Sequence, residues 1–519
     1  MNTQKLLFFA IFTCLIFTCL IFTLLSFLDV KKSTDLPNIV IIYADDMGYG
    51  DLNCQNPTSK IPTPNLDQLA AEGMRFSDAH SSSGICSPSR FSLLTGMYHW
   101  RRTHKIVNSF GKPMFKDSDY TLPQMLQQKG YATACIGKWH LGWDWTFKNP
   151  PSRIVKRKTK KDIKVYGVAD IDWSVPIKGG PLDRGFDTYF GDGTINFPPY
   201  AWVQNDRFLR VPTEDLNPRK MPFNTKEGSW EFRPGPMVKN WNPYDVLPTL
   251  TKKTVSWIEE RKNENPFFLY LALPSPHAPI IPNDEFIGTS KAGGYGDFMV
   301  QTDWVIGQVL KALKEKGLEE NTIVIFSSDN GPEKYAIDRA MTYDHFSSGK
   351  FRGMKRDVWE GGHHVPFIVK WPSHIEPATV SKQLISQTDV MATLGAVVGA
   401  DLPSVAAPDS FNLLPVWEGK PMQKPVRETT IHNTFEDLWA IRNGNWLFVD
   451  GPSGAKRNLP KKYAEFKAYK NFKTKGLLFD MVHDPEQREN LFEKYPEKVR
   501  ELSKLLKTYK TKGVTDSTN

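Results

Sequence analysis

The chain has 519 residues, of which 40% are hydrophobic and 24% are charged, and its formal net charge at pH 7 is +9. That length and that apolar content exclude a disordered chain and a small disulfide scaffold, and they predict a large α/β domain followed by a smaller one. The positive charge favours acidic partners (nucleic acid, anionic lipid, or sulfated or carboxylated glycan) without choosing among them.

Residues 1–30 contain a long uncharged run from Leu6 to Leu28, with Lys5 before it and Asp29 after it. A run of this length can span a bilayer, and a shorter part of it can serve as the core of a signal peptide. We therefore predict an exported protein, either periplasmic or tethered to the membrane through residues 6–28. Whether the segment is cleaved, lipidated or retained stays open.

Beyond that run the chain has three cysteines, Cys54, Cys86 and Cys135, too few for a disulfide framework. Cys54 and Cys135 can pair in an oxidising compartment, or they can be two separate buried thiols. The second interpretation is the favoured one.

Two acidic residues follow the first predicted strand. Asn38–Ala44 is a continuous apolar, β-branched run, which is typical of a central strand buried on both faces, and it ends at Asp45 and Asp46. Carboxylates at the carboxyl end of a parallel strand lie where open α/β sheets bind their ligands. A capped amphipathic helix is then predicted over Pro62–Phe76.

The segment Cys86–Arg90, with the sequence CSPSR, leads from a small polar loop into an apolar periodic stretch. This pattern predicts a helix with Pro88 near its first position, where the missing N–H of proline costs nothing. Cys86 would then lie at the positive end of the helix dipole, one turn before Arg90. Such surroundings stabilise an anionic nucleophile or an anionic substrate.

Lys138 and His140 follow the predicted strand Tyr131–Ile136, which a helix over Leu122–Lys129 precedes. Because alternate residues of an extended segment point to one side, both side chains are predicted to face the same way. A cation beside a titratable imidazole suits an anionic substrate and proton transfer.

Residues 143–248 lack clear periodicity and are rich in aromatic and basic residues, which predicts an elaborated rim over a pocket. Regular elements then return: helices over Thr249–Lys262, Phe298–Lys316 and Asp389–Val398, and strands over Pro266–Leu273, Thr322–Ser328 and Phe367–Lys370. His277 follows the first of these strands, and Asp329 and Asn330 follow the second. A Gly-rich basic loop containing Lys355 precedes the third.

The predicted fold is an α/β domain over residues 37–425, with a large, doubly wound, mostly parallel sheet flanked by helices. Residues 426–519 predict a smaller antiparallel sheet with a terminal helix, with strands at Thr429–His432, Trp446–Val449 and Leu478–Asp480 and the helix over Pro496–Tyr509. One doubly wound sheet would bring the polar residues at the strand ends to a single edge. The carboxylate and amide oxygens among them suit Ca²⁺ or Mg²⁺.

In order and spacing, the motifs of residues 37–500 resemble those of the type I sulfatases of the alkaline phosphatase superfamily, including bacterial polysaccharide sulfatases. The motifs that carry this resemblance are ADDMGYGD, CSPSR, GKWHLG, PSPHAP, SSDNGPE, FRGMKRDVWEGG before VPFIV, and FDMVHDPEQRENL. The resemblance implies that Cys86 is oxidised to formylglycine (3-oxoalanine) by a formylglycine-generating or anaerobic sulfatase-maturating enzyme. It also implies one Ca²⁺, for which Mg²⁺ is a less favoured substitute, held by Asp45, Asp46, Asp329, Asn330 and the modified Cys86.

The same resemblance implies that one oxygen of the formylglycine diol attacks sulfur and that a sulfated enzyme intermediate forms. Arg90 would hold the diol, while Lys138 and Lys355 would stabilise charge on the SO₃ group. His277 would protonate the leaving alcohol, and His140 would be the base that allows sulfate to leave. The expected substrate is a sulfated carbohydrate, an algal or matrix polysaccharide or its oligosaccharides.

Several alternatives stay open at this point. A small aryl sulfate esterase, and a phosphonate or phosphodiester hydrolase of the same superfamily, fit the same motifs. A non-catalytic glycan-binding protein would have no need of a proton donor, and the sequence shows no nucleic-acid-binding motif. The sugar, the sulfated carbon, exo or endo action and the oligomeric state are not indicated.

Overall fold

The structure, a computed structural model, describes residues 36–155, 162–220, 231–262 and 265–511. Its strands are β1 Asn38–Ala44, β2 Met74–Phe76, β3 Ala79–His80, β4 Ala132–Lys138, β5 Arg153–Val155, β6 Ile163–Val165, β7 Thr188–Gly193, β8 Val203–Gln204, β9 Arg207–Phe208, β10 Glu214–Leu216, β11 Gly235–Met237, β12 Phe267–Ala272, β13 Thr322–Ser328, β14 Phe367–Lys370, β15 Thr379–Ser381, β16 Ile385–Ser386, β17 Thr429–Phe435, β18 Leu438–Asn443, β19 Trp446–Val449 and β20 Leu477–Asp480. Its helices are α1 Pro64–Ala71, α2 Cys86–Thr95, α3 Leu122–Gln128, α4 Val246–Glu259, α5 Gly293–Glu315, α6 Ala336–Tyr343, α7 Glu360–His363, α8 Asp389–Val397, α9 Leu414–Trp417, α10 Lys461–Phe466 and α11 Pro496–Thr511.

The main sheet has ten strands in the order β15-β2-β14-β13-β1-β12-β4-β7-β8-β9. The central strands β13, β1, β12, β4 and β7 are parallel to one another, whereas β14, β8 and β9 are antiparallel to the strands beside them. Helices cover both faces of this sheet: α1, α4 and α5 pack on one face, and α2, α3 and α8 on the other. The predicted doubly wound, mostly parallel α/β fold is confirmed.

The core follows from the alternation of side chains along each strand. Val40 and Ile42 of β1 point to the face covered by α1, α4 and α5, and Ile39 and Ile41 point to the opposite face. All of them are fully buried, so an unbroken apolar run is needed rather than an alternating one. Burying each such side chain stabilises the fold by roughly 1.5–3 kcal/mol.

The carboxyl-terminal residues form an antiparallel sheet in the order β17-β18-β19-β20, and Leu502 and Leu506 of α11 pack against it. This confirms the predicted small sheet with a terminal helix. The strand β18 was not predicted.

Several predicted elements differ in extent; for example, α4 runs over Val246–Glu259 and not Thr249–Lys262, and α5 runs over Gly293–Glu315 and not Phe298–Lys316. The helix predicted to reach Phe76 ends at Ala71, and residues 74–76 form β2 instead. The strand predicted to end at Ile136 continues to Lys138, and helix α2 begins at Cys86, two residues before Pro88. Within the predicted rim, β7 belongs to the main sheet beside β4.

Cys54, Cys86 and Cys135 are free thiols. Cys54 packs against the core on the α1 face, while Cys135 lies in the core on the α2 face, so the sheet separates them and the disulfide alternative is wrong. Burial raises the pKa of Cys54 to about 12. Among the described residues, no helix combines the length and the apolar character needed to cross a bilayer. The run Leu6–Leu28 lies outside the described residues.

Candidate active site

Four neighbouring parallel strands, β13, β1, β12 and β4, end at the same edge of the main sheet. Polar side chains follow or close each of them, as predicted. Asp45 and Asp46 follow β1, His277 lies in the loop after β12, and Lys138 is the last residue of β4. Asp329 and Asn330 follow β13. The topology therefore gathers residues that are far apart in sequence.

Backbone hydrogen bonds hold the strand ends in register. The N–H of Asp45 donates to the Ser275 carbonyl at 3.0 Å, and the N–H of Asp329 donates to the Ala44 carbonyl at 3.1 Å. Asp46 adopts a left-handed conformation with φ of 64°, which turns the chain sharply away from β1. Aspartate is one of the few residues that tolerate this region, and this turn places Asp45 and Asp46 side by side.

The carboxylates and the amide form one buried group. The N–H of Asp46 donates to Oδ1 of Asp329 at 3.1 Å, and Nδ2 of Asn330 donates to Oδ1 of Asp46 at 2.7 Å. Asp45, Asp329 and Asn330 are fully buried, and Asp46 is 2% exposed. Buried carboxylates at such short range repel one another unless cations compensate them.

Cys86 and Arg90, both in helix α2, lie next to this group. Cys86 is its first residue, and its Sγ lies 4.0 Å from Oδ1 of Asp46. One turn later, Arg90 donates from Nε and Nη2 to the same Asp329 oxygen at 3.0 and 2.8 Å. Burial and the charge of Asp329 raise the pKa of the Cys86 thiol, so the unmodified side chain is a poor nucleophile.

Two lysines complete the charge balance. Lys138 donates to Oδ2 of Asp45, and Lys355 donates to Oδ2 of Asp46 at 2.7 Å. Lys355 also lies 3.8 Å from Oε2 of Glu333, which pairs with Arg356. Three buried carboxylates therefore face three buried cations, counting Arg90.

Lys355 is fixed in place by the loop that follows Asn330. The N–H of Lys355 donates to the Pro332 carbonyl at 2.9 Å, and the N–H of Gly331 donates to the Gly362 carbonyl at 3.0 Å. A Cβ at position 331 would come within 1.9 Å of the Gly361 carbonyl oxygen, so only glycine allows this approach. The two loops thereby bring Lys355 back to the end of β13.

The two histidines differ in their contacts. Nδ1 of His277 donates to the Ala278 carbonyl, and its Nε2 lies 3.6 Å from Oδ2 of Asp46. His140 has a positive φ of 51°, so it does not continue the strand, and the prediction that it alternates with Lys138 in an extended segment is wrong. Its Nε2 donates to the Val107 carbonyl at 2.9 Å, and burial together with Lys138 lowers its pKa well below the ordinary value. His140 therefore stands at the edge of the group as a neutral imidazole.

The donor set suits a hard divalent cation. Oδ1 of Asp45 and Oδ1 of Asn330 are buried and have no hydrogen-bond partner among the described residues. Burial would raise the pKa of Asp45, but Lys138, His277 and Arg90 hold it well below its ordinary value. Burial and the charge of Asp45 raise the pKa of Asp329. Carboxylate and amide oxygens arranged in this way fit Ca²⁺ or Mg²⁺.

The structure thus brings together the predicted residues Asp45, Asp46, Cys86, Arg90, Lys138, His277, Asp329, Asn330 and Lys355, with His140 beside them. Two further charged residues near this group were not predicted. Glu333 closes the SSDNGPE motif and contacts Lys355, and Asp192 lies at the end of β7. Glu333 could have been predicted as a site residue, because it belongs to the SSDNGPE motif that also contains Asp329 and Asn330. Nothing in the local sequence distinguishes Asp192 from an ordinary turn residue.

Comparison with known proteins identifies the family. The model of the sulfatase family matches residues 37–400, and that of the N-sulphoglucosamine sulphohydrolase carboxyl-terminal region matches residues 350–512. The chain is 32% identical to an N-acetylgalactosamine-6-O-sulfatase of Bacteroides thetaiotaomicron, over 93% of this chain and 95% of that protein. It is 31% identical to the N-acetylgalactosamine-6-sulfatase of Mus musculus, over 87% and 81% of the two chains.

A solved Bacteroides thetaiotaomicron structure, from work on the metabolism of multiple glycosaminoglycans, has the same fold. It is 30% identical with a TM-score of 0.74, and the match covers 92% of this chain and all of that one. The family models, the relatives that match most of this chain, and the polar residues at the strand ends all indicate the same family. The chain belongs to the sulfatase family, and it is a hydrolase of sulfate esters.

Proposed function

We propose that this sulfatase removes the 6-O-sulfate from N-acetylgalactosamine units of a glycosaminoglycan-type glycan. The observation that carries the proposal is the similarity, over most of the chain, to N-acetylgalactosamine-6-sulfatases from a bacterium and from mammals. The aromatic side chains of Phe110, Trp143, Trp145 and Phe197, which line a pocket together with His140, support a carbohydrate substrate, because sugar rings can stack on aromatic faces. The proposed substrate is a narrower class than the algal or matrix polysaccharide expected from the sequence.

Cys86 is the proposed site of modification. As formylglycine, it would supply a hydrated aldehyde whose oxygen attacks the sulfur atom. Its position at the first turn of α2 favours negative charge, because the N–H groups of that turn point toward it. This reaction requires a formylglycine-generating or anaerobic sulfatase-maturating enzyme as a partner.

The charged residues of the site hold the sulfate and the nucleophile. Lys138 and Lys355 are oriented by Asp45 and Asp46, and each can donate to an oxygen of the transferring SO₃ group. Arg90 lies one turn from position 86, with its Nη1 buried and without a hydrogen-bond partner among the described residues. We propose that Nη1 of Arg90 donates a hydrogen bond to the attacking oxygen of the modified residue 86.

Two histidines move protons in this proposal. His277 lies next to Asp46 and is the acid that protonates the leaving alcohol. Nε2 of His140 is occupied by the Val107 carbonyl, so Nδ1 is the atom left to accept a proton. His140 is therefore the proposed base for the step that regenerates the enzyme.

Asp45, Asp46, Asp329 and Asn330 are the proposed ligands of a Ca²⁺ ion, together with an oxygen at position 86. The ion would neutralise charge on the sulfate and on the attacking group. We also propose that the protein is exported and that residues 6–28 act as a signal peptide or membrane tether. The assignment of residues 37–425 and 426–519 to a catalytic domain and a smaller carboxyl-terminal unit is part of this proposal.

A substrate panel tests the proposed function. The matured enzyme is assayed on 6-sulfated and 4-sulfated N-acetylgalactosamine, 4-nitrophenyl sulfate and bis(4-nitrophenyl) phosphate, with Cys86→Ala as the matched inactive control. We expect the 6-sulfated sugar to give the highest kcat/KM and Cys86→Ala to be inactive on all of them. Highest activity on the aryl sulfate or on the phosphodiester would establish one of the two alternative activities instead.

A further inference from the structure

A small cavity of about 40 Å³ lies beside His140, outside the charged group described above. Its walls come from residues 107–111, from the segment after β4 that contains Trp143 and Trp145, and from residues 192–199. This volume holds a few water molecules or the edge of a sugar ring, but not a whole ring. Because His140 lines it, the cavity is continuous with the site of the proposed proton transfer.

Buried polar atoms without partners are concentrated on these walls. Within the described parts of the chain, Oγ of Ser109, Nδ1 of His140, Nε1 of Trp145 and both carboxylate oxygens of Asp192 lack a hydrogen-bond partner. Buried polar groups are nearly always hydrogen-bonded in folded proteins, and each that is not costs free energy. Such a concentration at one cavity indicates that a polar ligand completes these bonds.

Asp192 is the most unusual of these groups. It is 4% exposed, and burial raises its pKa to about 7. It lies at an irregularity of the sheet: Ile136 of β4 pairs with Phe190 of β7, but Lys138 pairs with Gly193, so Gly191 and Asp192 together oppose Gly137. Such a bulge redirects a side chain, and bulges are common beside active sites.

The remaining walls are aromatic. Phe110, Trp143, Trp145 and Phe197 line the cavity, and the ring of Phe197 packs edge-on against His140 with 5.3 Å between ring centres. Apolar faces combined with an acceptor pair on Asp192 and a donor on Trp145 match the edge of a carbohydrate, which has C–H faces and hydroxyl groups. A hydrophobic aryl group would leave both Asp192 oxygens unpaired.

We propose that this cavity is a subsite for the hydroxyl-bearing edge of the sulfated sugar and that Asp192 is the residue that accepts hydrogen bonds from its hydroxyl groups. The inference rests on the proposed function, because it requires a sugar sulfate as the substrate. Asp192 then selects the sugar, whereas Lys138 and Lys355 contact the sulfate. A substrate that lacks the recognised hydroxyl leaves a buried carboxylate unpaired and is rejected.

The test compares enzyme variants with deoxy substrates. We would measure kcat/KM of wild type, Asp192→Ala and Asp144→Asn on 6-sulfated N-acetylgalactosamine and on its 3-deoxy and 4-deoxy analogues. Asp144 is an exposed acid in the segment that contains Trp143 and Trp145, so it controls for loss of charge near the cavity. Circular dichroism checks folding; if Asp192→Ala does not fold, Asp192→Leu, which has a similar size and no hydrogen-bond acceptor, takes its place.

In wild type and in Asp144→Asn, we expect at least one deoxy analogue to lose about 100-fold or more in kcat/KM. In Asp192→Ala the same analogue should lose less than about 3-fold relative to the parent sugar, because the acceptor is already absent. An equal penalty in wild type and Asp192→Ala would overturn the role of Asp192 while leaving the proposed function intact. If wild type cleaves 4-nitrophenyl sulfate but none of the three sugars, the proposed substrate is wrong and this inference fails with it.

Discussion

Replacing Lys355 with methionine tests whether a buried cation in this site acts on the sulfate. The side chain is 1% exposed, and its ammonium group lies 2.7 Å from Oδ2 of Asp46. Methionine has a similar length and can occupy the same space without a charge. In the proposed mechanism, the substitution therefore removes one positive charge from the point where negative charge develops during transfer of the SO₃ group.

The size of the effect follows from distance and surroundings. Two unit charges about 4 Å apart interact by about 4 kcal/mol at an effective dielectric constant of 20. Removing one preorganised group that stabilises transition-state charge typically lowers kcat by about 10²–10³-fold. We expect kcat/KM for Lys355→Met to fall by that factor on both 4-nitrophenyl sulfate and the sugar sulfate, because both present the same SO₃ group.

The measurement is kcat/KM from steady-state kinetics at Ca²⁺ concentrations that saturate wild type. Thermal unfolding of the same protein samples shows whether each variant is folded. Lys350→Met is the matched control, because Lys350 is exposed on the same loop, and its kcat/KM should stay within about 2-fold of wild type. A loss smaller than about 5-fold for Lys355→Met in folded protein would refute the assignment. Recovery of Lys355→Met at Ca²⁺ concentrations above those that saturate wild type would show that Lys355 serves the metal site and not the sulfate.

Further predictions concern the metal, the core and pH. Dialysis against a chelator should abolish turnover, and Ca²⁺ should restore it better than Mg²⁺; full activity in the chelated enzyme would exclude a metal requirement. Arg427→Met should lower the free energy of unfolding in urea by about 3–5 kcal/mol, because Arg427 is 1% exposed and pairs with the buried carboxylate of Asp389; a change below about 1 kcal/mol would contradict this. Burial lowers the pKa of His99 to about 3, so below its ordinary pKa near 6.5 the unfolded chain binds a proton that the folded chain does not. His99 should therefore lower the free energy of unfolding by about 1.4 kcal/mol for each pH unit below 6.5. In His99→Gln, the free energy of unfolding should depend less steeply on pH over this range. Identical pH dependence in wild type and His99→Gln would refute this linkage.

Much of the fold could be predicted because the central strands are buried on both faces. Asn38–Ala44 and Thr322–Ser328 are continuous apolar runs, and the predicted bounds of both match the structure. The ends of such runs are visible in sequence as an abrupt change to acidic or basic residues. Parallel neighbours end at one edge of the sheet, so this change predicted which distant residues would meet. In the structure Asp46 contacts Asp329, and Lys138 contacts Asp45.

What could not be predicted depends on tertiary contacts. β7 is short and contains Gly191 and Gly193, so its sequence does not resemble a central strand, and it is held by pairing with β4. Met74–Phe76 continues an apolar pattern that fits a helix, but pairing with β14 and β15 makes it a strand. The left-handed turn at His140 and the bulge at Asp192 are properties of the folded sheet edge and leave no sequence pattern.

Every residue of helix α2 is buried, and Cys86, at its first turn, has no exposed surface. A thiol in that position cannot enter the active site of another protein while the sheet and its helices are in place. If Cys86 is converted to formylglycine, as proposed above, the maturating enzyme would have to act on the chain before α2 packs against β1. Under this proposal, the yield of active protein would depend on the timing of maturation relative to folding, and protein that folds first would keep an unmodified Cys86.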